Sequence, residues 1–246
     1  MINKPKAFIF AGANASGKST LIAHLLQEKI IKGTYVNPDL VLKYELKLEE
    51  TKENYLKAFK LAQVKRESLL EEQKDIILET VFSTQEKIEF LKKLKVAGYH
   101  VTLFFTSTDT PYINAMYLTQ RVLNGGHDVP IHKLISRRER GFANIKRATK
   151  IIDCLIYLDN SIPSQPPEII ISLWLGKKCF ENSKFNRNIT WHINLLEDIN
   201  TSKELNDNIA LMHISFCETI QKSVVTFSKT LEKSYAQKNE ILAGNR

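Results

Sequence analysis

A glycine-rich segment near the start of the chain has the spacing of a phosphate-binding loop. Residues 12–19 read GANASGKS, the pattern G-x-x-x-x-G-K-S. Its glycines allow successive backbone N–H groups to point inward at a helix N-terminus, where they bind anions. In this pattern Lys18 reaches the β- and γ-phosphates of ATP or GTP, and the Ser19 hydroxyl binds Mg²⁺. The predicted nucleotide-binding residues are Gly12, Ala13, Asn14, Ala15, Ser16, Gly17, Lys18, Ser19 and Thr20.

Two carboxylates follow predicted strands further along the chain. Asp39 lies in the segment VNPDLV, and Glu79 ends the apolar run IILET. Because strand ends face the ligand crevice in a doubly wound sheet, both carboxylates are expected beside the phosphate loop. Asp39 is a candidate general base for an attacking hydroxyl, with helix capping as the alternative. Glu79 is a candidate for binding substrate, or Mg²⁺ through water, with a solvated strand end as the alternative.

Hydroxyl groups in the loop after Glu79 extend this predicted acceptor site. Thr80, Ser83 and Thr84 lie in this loop, and Thr80 and Ser83 are candidate substrate contacts. A kinase needs such groups to position the acceptor, together with cations that stabilise charge on the transferred phosphoryl group.

A cationic segment supplies candidates for those cations. Residues 131–150 contain seven lysines and arginines and one acid. Arginine suits phosphate because its guanidinium stays charged and binds two oxygens at once. Arg121, Arg137 and Arg138 flank the loop NGGHDVP, which predicts a lid over residues 121–150 that excludes water. A solvated basic helix face is the alternative. His127 in the loop is a candidate substrate contact.

The distribution of charge favours a compact polyanion over a long nucleic acid. The chain carries a formal net charge of +8, much of it in the short segment 131–150. A duplex requires a spread positive footprint, whereas a nucleoside triphosphate does not. Three scattered cysteines indicate a reducing compartment, and the absence of an apolar run of about 18 residues argues against a membrane span. We therefore expect a cytoplasmic protein.

Hydrophobic patterning predicts an α/β fold with a parallel sheet and helices on both faces. The predicted strands are 6–11, 34–37, 75–80, 101–107 and 154–158, and the predicted helices are 18–27, 40–73, 85–97, 111–123 and 131–150. A proline-rich joint at 161–167 predicts a kinase core at 1–162 and an extension at 163–246. Within the extension we expect one or two strands in 168–180 and a long amphipathic helix through Leu205, Ile209, Met212, Phe216, Ile220, Phe227 and Leu231. This helix is expected to pack on the core or mediate self-association, with a membrane surface as the alternative.

Five motifs together resemble the zeta toxin family of P-loop kinases, and especially its shorter, stand-alone bacterial branch. They are GANASGKST, VNPDLV, LETVFST, RVLNGGHDVP followed by RR, and YLDNS, in this order over residues 6–161. The resemblance implies a nucleotide-kinase-like fold and phosphorylation of UDP-N-acetylglucosamine at a sugar hydroxyl by ATP or GTP. It also implies toxicity that an antitoxin restrains.

The resemblance also implies roles for individual residues. Lys18 and Ser19 take the phosphate and Mg²⁺ roles, and Asp39 is the base. Glu79 and Thr80 lie at the sugar nucleotide. Arg121 binds the phosphates together with Arg137 or Arg138, and Asp159 and Asn160 lie near the nucleotide base. The better-known toxins have an arginine in the substrate loop after the glutamate, and residues 81–84 contain none.

Other functions remain open at this level. One is a kinase for another small hydroxyl compound, such as a nucleoside, a sugar or an antibiotic. A second is a module in which ATP closes the lid and the C-terminal helix binds a partner, without phosphoryl transfer. A third is a polynucleotide 5′-hydroxyl kinase, which the basic lid favours but which lacks a second basic stripe.

Overall fold

Five parallel strands form one end and the centre of a seven-stranded sheet. The computed structural model describes residues 4–123, 129–163, 165–182 and 211–226. The strands are β1 (Lys6–Ala11), β2 (Thr34–Val36), β3 (Ile76–Thr80), β4 (His100–Ser107), β5 (Cys154–Asp159), β6 (Glu168–Trp174) and β7 (Lys177–Glu181). Their order is β2-β3-β1-β4-β5-β6-β7, and β1 to β5 pair in parallel. The predicted parallel α/β sheet is confirmed.

Helices connect these strands and cover both faces of the sheet. They are α1 (Lys18–Gln27), α2 (Pro38–Leu40), α3 (Lys52–Glu71), α4 (Gln85–Val96), α5 (Pro111–Leu123), α6 (Ile131–Ala148) and α7 (residues 211–226). A π-helical turn, Val41–Leu46, continues α2 directly.

The single helix predicted over residues 40–73 is wrong, because the chain breaks between the π-helical turn and α3. Lys47 ends the turn in the left-handed conformation, with φ 52°. Thr51 then starts α3 as its N-cap, with a hydroxyl that accepts from the backbone N–H of Asn54. Both signals are local, and the continuous periodicity of the sequence hid them.

Alternate residues of β1 enter two separate cores. Ala7, Ile9 and Ala11 pack with apolar residues of α3, α4 and α6 on one face. Phe8 and Phe10 pack on the other face with α1 and α7, and the Phe10 ring stacks on Phe104 at 4.5 Å. Side chains alternate across a strand, so a continuous apolar run such as AFIFA is buried on both sides.

The chain beyond the proline-rich joint extends the same sheet. β6 pairs antiparallel with β5, and β7 pairs antiparallel with β6. One or two strands are predicted within residues 168–180, and the structure has two, the second of which ends at Glu181. The division at residues 162 and 163 stays a prediction, but across it the backbone hydrogen bonds of the sheet continue.

Helix α7 packs against α1, the helix that begins at the glycine-rich loop. Cys217, Ile220 and Val224 lie in the same core as the apolar residues of α1. A hydrogen bond of 2.6 Å joins His24 Nε2 to Ser223 Oγ. This part of the predicted amphipathic helix is a helix packed on the core, whereas Leu205, Ile209, Phe227 and Leu231 lie outside the described residues. In the described part of the chain, no helix is long and apolar enough to cross a membrane.

We expect Ile220→Ala to lower the free energy of unfolding by about 2–5 kcal/mol, because it leaves a cavity against α1. Ile220 is completely buried, whereas Met212 on the same helix is 68% exposed. Met212→Ala should change the unfolding free energy by less than about 0.5 kcal/mol. Chemical denaturation of both variants measures this difference, and equal losses would contradict the described packing of α7.

We expect stability to fall at mildly acidic pH through His213. This buried side chain lies 3.7 Å from Cys154 Sγ and against Trp174. Burial, followed by the charge of His100, lowers the pKa of His213 from 6.5 to about 4. The unfolded state therefore binds the proton more readily than the folded state. The contribution of neutral His213 to the free energy of unfolding is fully present above pH 6.5 and declines as pH falls toward 4.

Chemical denaturation of His213→Gln across this pH range measures how much of the pH-dependent loss of stability is due to His213. The decline should become shallower than in the wild type, although His24 and His100, whose pKa values burial also lowers, keep part of it. His132→Gln, on an exposed position of α6, should leave the profile unchanged. An unaltered slope in His213→Gln would contradict the expectation.

Candidate active site

Two glycines of the phosphate-binding loop occupy positions where a side chain cannot fit. Gly12 has φ 149°, and a Cβ there would lie 2.1 Å from the carbonyl oxygen of Thr106. Gly17 has φ 90°, and its Cβ would lie 2.6 Å from Nδ2 of Asn160. The loop therefore lies directly against the ends of β4 and β5, which hold it between the sheet and α1.

Lys18 lies inside the loop rather than in solvent. Its residue is 5% exposed, and its Nζ donates to the carbonyl oxygen of Ala13 at 2.7 Å. Glu79 Oε1 is 3.9 Å from the same nitrogen. Burial lowers the pKa of Lys18, Glu79 opposes this effect and Arg121 adds to it. A cation thus lies in the anion-binding loop, with the Glu79 carboxylate near it.

Glu79 connects the loop to two other segments. It lies opposite Phe10 in the pairing of β3 with β1, so its side chain starts at the crevice edge. The carboxylate accepts from Ser19 Oγ at 2.9 and 3.0 Å and from the Tyr35 hydroxyl at 2.6 Å. It also lies 3.3 Å from Asn37 Nδ2, a fourth contact. Glu79 is therefore a constrained group of the site and not a solvated strand end.

The oxygen atoms of Ser19 and Glu79 are suitable ligands for a magnesium ion. Mg²⁺ prefers oxygen ligands and usually binds one or two protein groups together with substrate phosphates. A hydroxyl and a carboxylate side by side, at the start of the helix that follows the loop, supply such oxygens. Ser19 would hold the ion directly, and Glu79 would hold it through water.

Asp39 is not the cap of its helix. The N-cap of α2 is Asn37, whose side chain accepts from the backbone N–H of Asp39 at 2.8 Å. The Asp39 carboxylate is exposed and instead accepts a hydrogen bond from the Tyr55 hydroxyl of α3. Burial, and then the hydrogen bond to Asp39, raise the pKa of Tyr55, so its hydroxyl stays a donor. The capping alternative for Asp39 does not hold.

The two adjacent arginines of α6 point to different places. Arg137 Nη1 lies 3.4 Å from Oδ1 of Asn14, in the phosphate-binding loop. Arg138 Nη2 donates to the carbonyl oxygens of Thr108 and Asp109 at 2.6 and 2.8 Å. The Arg138 guanidinium also lies 4.8 Å from the Phe142 ring centroid. Arg138 therefore holds α6 to the end of β4, whereas Arg137 lies beside the phosphate-binding loop, and its phosphate role stays a prediction.

One cleft of about 750 Å³ collects most of the predicted site residues. Those that line it are Asn14, Ala15, Ser16, Gly17, Lys18, Ser19, Thr20, Asp39, Glu79, Thr80, Arg121 and Asn160. Asn160 Nδ2 donates to the carbonyl oxygen of Ser16 at 3.2 Å. Ser83 does not line the cleft, and His127 lies outside the described residues.

Sequence reasoning missed four polar side chains that line the cleft or brace its carboxylates. Tyr35 and Asn37 contact Glu79, Tyr55 contacts Asp39, and Tyr117 lines the cleft. The i, i+2 spacing of Tyr35 and Asn37 places them on one face of the strand predicted at 34–37, a signal that could have been used. Tyr55 and Tyr117 lie within amphipathic helices, and no spacing distinguishes them from core residues.

Comparisons with known proteins agree with this geometry. A sequence model described as "Zeta toxin" matches residues 2–156, well over half of the chain. The chain belongs to the zeta toxin family. None of the curated proteins compared by sequence gave a significant match.

Solved structures share the fold of this zeta toxin family member. The toxin of the PezAT toxin–antitoxin system of Streptococcus pneumoniae aligns over 91% of this chain and 88% of that one, with 15% identity and a TM-score of 0.53. An AvrRxo1-ORF1:-ORF2 complex with ATP aligns over 90% and 76%, with 15% identity and a TM-score of 0.59. At these identities the likeness shows the fold alone, that of a P-loop kinase.

We expect Arg137→Ala to affect ATP binding and Arg138→Ala to affect stability. Arg137→Ala should weaken ATP binding about tenfold, since it removes a cation beside the loop, and should leave stability within about 0.5 kcal/mol. Arg138→Ala should lower the unfolding free energy by about 1–3 kcal/mol, because buried carbonyls lose their donor. Calorimetric titration and denaturation measure the two effects. The exposed Arg140→Ala is the control, and identical phenotypes would contradict the assignment.

Proposed function

We propose that this zeta toxin family member is a kinase that transfers the γ-phosphoryl group of ATP or GTP to a hydroxyl of a small molecule, with UDP-N-acetylglucosamine as the acceptor. The observation that carries the proposal is the position of Asp39. Its carboxylate lines the same cleft as Lys18 and Ser19, and the Tyr55 hydroxyl binds it.

The phosphate-binding loop forms the donor half of the cleft. Backbone N–H groups at the start of α1 bind the phosphates, because the first turn of a helix has no intrahelical partners for them. Lys18 leaves the carbonyl oxygen of Ala13 to contact the β- and γ-phosphates. Arg121 and Arg137 approach from the predicted lid and neutralise charge on the transferred group. Asn160 supports the loop beside the nucleotide base.

The magnesium ion supplies charge neutralisation on the β- and γ-phosphates when it is bound. Ser19 would hold it through its hydroxyl, and Glu79 would hold it through water. The bonds from Tyr35 and Asn37 keep the Glu79 carboxylate in place.

The acceptor half of the cleft is the side of Asp39, Glu79 and Thr80. Asp39 accepts the proton of the attacking hydroxyl as the new phosphate ester bond forms and the bond to the leaving diphosphate breaks. The Tyr55 hydroxyl orients the carboxylate that receives the proton. Ser83 and His127 are proposed to contact the acceptor when the lid closes.

Family membership supports UDP-N-acetylglucosamine as acceptor, and the fold shared with a toxin of a toxin–antitoxin system supports an antitoxin partner. An antitoxin would be needed if the enzyme consumed a cell-wall precursor. Both inferences agree with a cytoplasmic protein, since nucleotide sugars and ATP are both found there.

We expect Asp39→Asn to lower phosphoryl transfer about 10²–10⁴-fold while ATP binding changes less than twofold, because the amide cannot accept the proton. Tyr55→Phe should lower transfer less, since it removes only the orienting hydrogen bond. Transfer is measured with γ-labelled ATP and UDP-N-acetylglucosamine, and binding by calorimetry. Glu71→Gln, an exposed position at the end of α3, is the matched control.

The acceptor itself is identified by incubating the protein and labelled ATP with a cell extract, followed by mass spectrometry of labelled products. Labelled UDP-N-acetylglucosamine supports the proposal, and a different labelled metabolite replaces the acceptor. Labelled oligonucleotides would point to a polynucleotide kinase. Hydrolysis with no labelled product, or wild-type transfer by Asp39→Asn, would overturn the assignment of Asp39 as base.

A further inference from the structure

A second cavity, of about 190 Å³, adjoins the candidate active site at Glu79 and Thr80, which line both. Its other walls come from α3, α4 and the sheet face that those helices cover. Phe59 and Arg66 of α3 and Phe90 of α4 are its large side chains. The cavity thus shares a wall with the acceptor half of the cleft, and no residue of the phosphate-binding loop lines it.

Arg66 is a partly buried cation held between two aromatic rings. Its Cζ lies 5.9 Å from the centroid of the Phe59 ring and 5.7 Å from that of Phe90. Burial lowers the pKa of Arg66, and the charges of Glu86 and Glu67 oppose this effect. The two rings lie close to the guanidinium, but they offer no oxygen or nitrogen acceptor for its five N–H donors.

The guanidinium of Arg66 lacks a polar partner within the described parts of the chain. None of their residues forms an ion pair with it or accepts a hydrogen bond from it. Arg138 is the contrast, because two main-chain carbonyl oxygens accept from its guanidinium. No Arg66 nitrogen is among the buried polar atoms of the described residues that lack a partner, so water reaches the guanidinium. An anion that arrives with a ligand can replace this water and form charge-assisted hydrogen bonds.

We propose that this cavity binds an anionic group of the acceptor, a phosphate or a carboxylate, and that Arg66 is the residue that recognises it. The inference rests on the proposed kinase function and narrows its acceptor to an anionic hydroxyl compound. At about 30 Å³ for each water-sized group, the cavity has room for roughly six of them. That is enough for a phosphate or carboxylate with a few attached atoms, so the rest of the acceptor lies in the adjoining cleft.

The charges of Glu79, Lys87 and Arg66 determine how the acceptor lies across the cleft and the second cavity. The Glu79 carboxylate, at the shared wall, accepts hydrogen bonds from Ser19, Tyr35 and Asn37. That end of the cavity therefore receives a polar, uncharged part of the acceptor. Lys87 also lines the cavity, but its Nζ is paired with Glu86 at 3.1 Å. The anion therefore lies at Arg66, and the reacting hydroxyl lies toward Asp39.

The test is a steady-state comparison of Arg66→Gln with the wild type, using UDP-N-acetylglucosamine and ATP. The acceptor KM should rise at least tenfold, and the ATP KM should change less than twofold. Arg66→Lys keeps the charge but loses the planar guanidinium, so its acceptor KM should lie between those of the wild type and Arg66→Gln. Lys65→Gln, on the same helix and paired with Glu45 at the surface, should match the wild type. An unchanged acceptor KM, or equal rises for both substrates, would overturn the proposal.

A binding measurement keeps the inference testable if no acceptor is phosphorylated by the wild type, an outcome that would count against the proposed function alone. The protein is saturated with a non-hydrolysable ATP analogue, so that the phosphate-binding loop is filled, and is then titrated with UDP. Binding to the wild type that is at least tenfold tighter than to Arg66→Gln supports the anion site. Equal affinities, with both proteins folded by circular dichroism, overturn it.

Discussion

The position of the Glu79 carboxylate is the constraint on which the candidate active site depends. It lies 3.9 Å from the Lys18 ammonium and accepts from Ser19, so it links the phosphate-binding loop to β3. It also accepts hydrogen bonds from Tyr35, which lies in β2, and from Asn37, which follows β2. Three segments distant in sequence meet at one charged group, and sheet register decides that they can meet. Because the group is held by several donors, it stays ordered beside a buried cation, which a carboxylate on a free loop would not.

The parts of this molecule that the sequence predicted are those governed by short-range rules. The loop pattern places Lys18 and Ser19 without reference to the rest of the fold, because glycine spacing and helix start are local. The central strands are predicted because each is an apolar run between turn residues. Strand order is less local, but a carboxylate at a strand end is placed near the crevice by parallel topology itself, which is why Asp39 and Glu79 both line the cleft.

What the sequence could not supply depends on the rotation of helices about their axes and on packing between distant segments. Arg137 and Arg138 are neighbours in the chain, yet α6 directs one to Asn14 and the other to the end of β4. One residue of helix is a rotation of about 100°, and periodicity alone does not fix its origin. Tyr55 is hidden for the same reason. Its hydroxyl reaches Asp39 only because the chain breaks after Leu46 and sets the angle of α3.

Helix α7 gives the order of synthesis a consequence for folding. Its buried face closes the core that contains α1, yet it is translated after the seven strands that the structure describes. A ribosome that has released residues 1–182 has produced the phosphate-binding loop and all seven strands, while the apolar side of α1 still lacks its cover. The nascent chain must therefore tolerate or shield that surface until residues 211–226 emerge, and a chain truncated before them would present it permanently to chaperones and proteases.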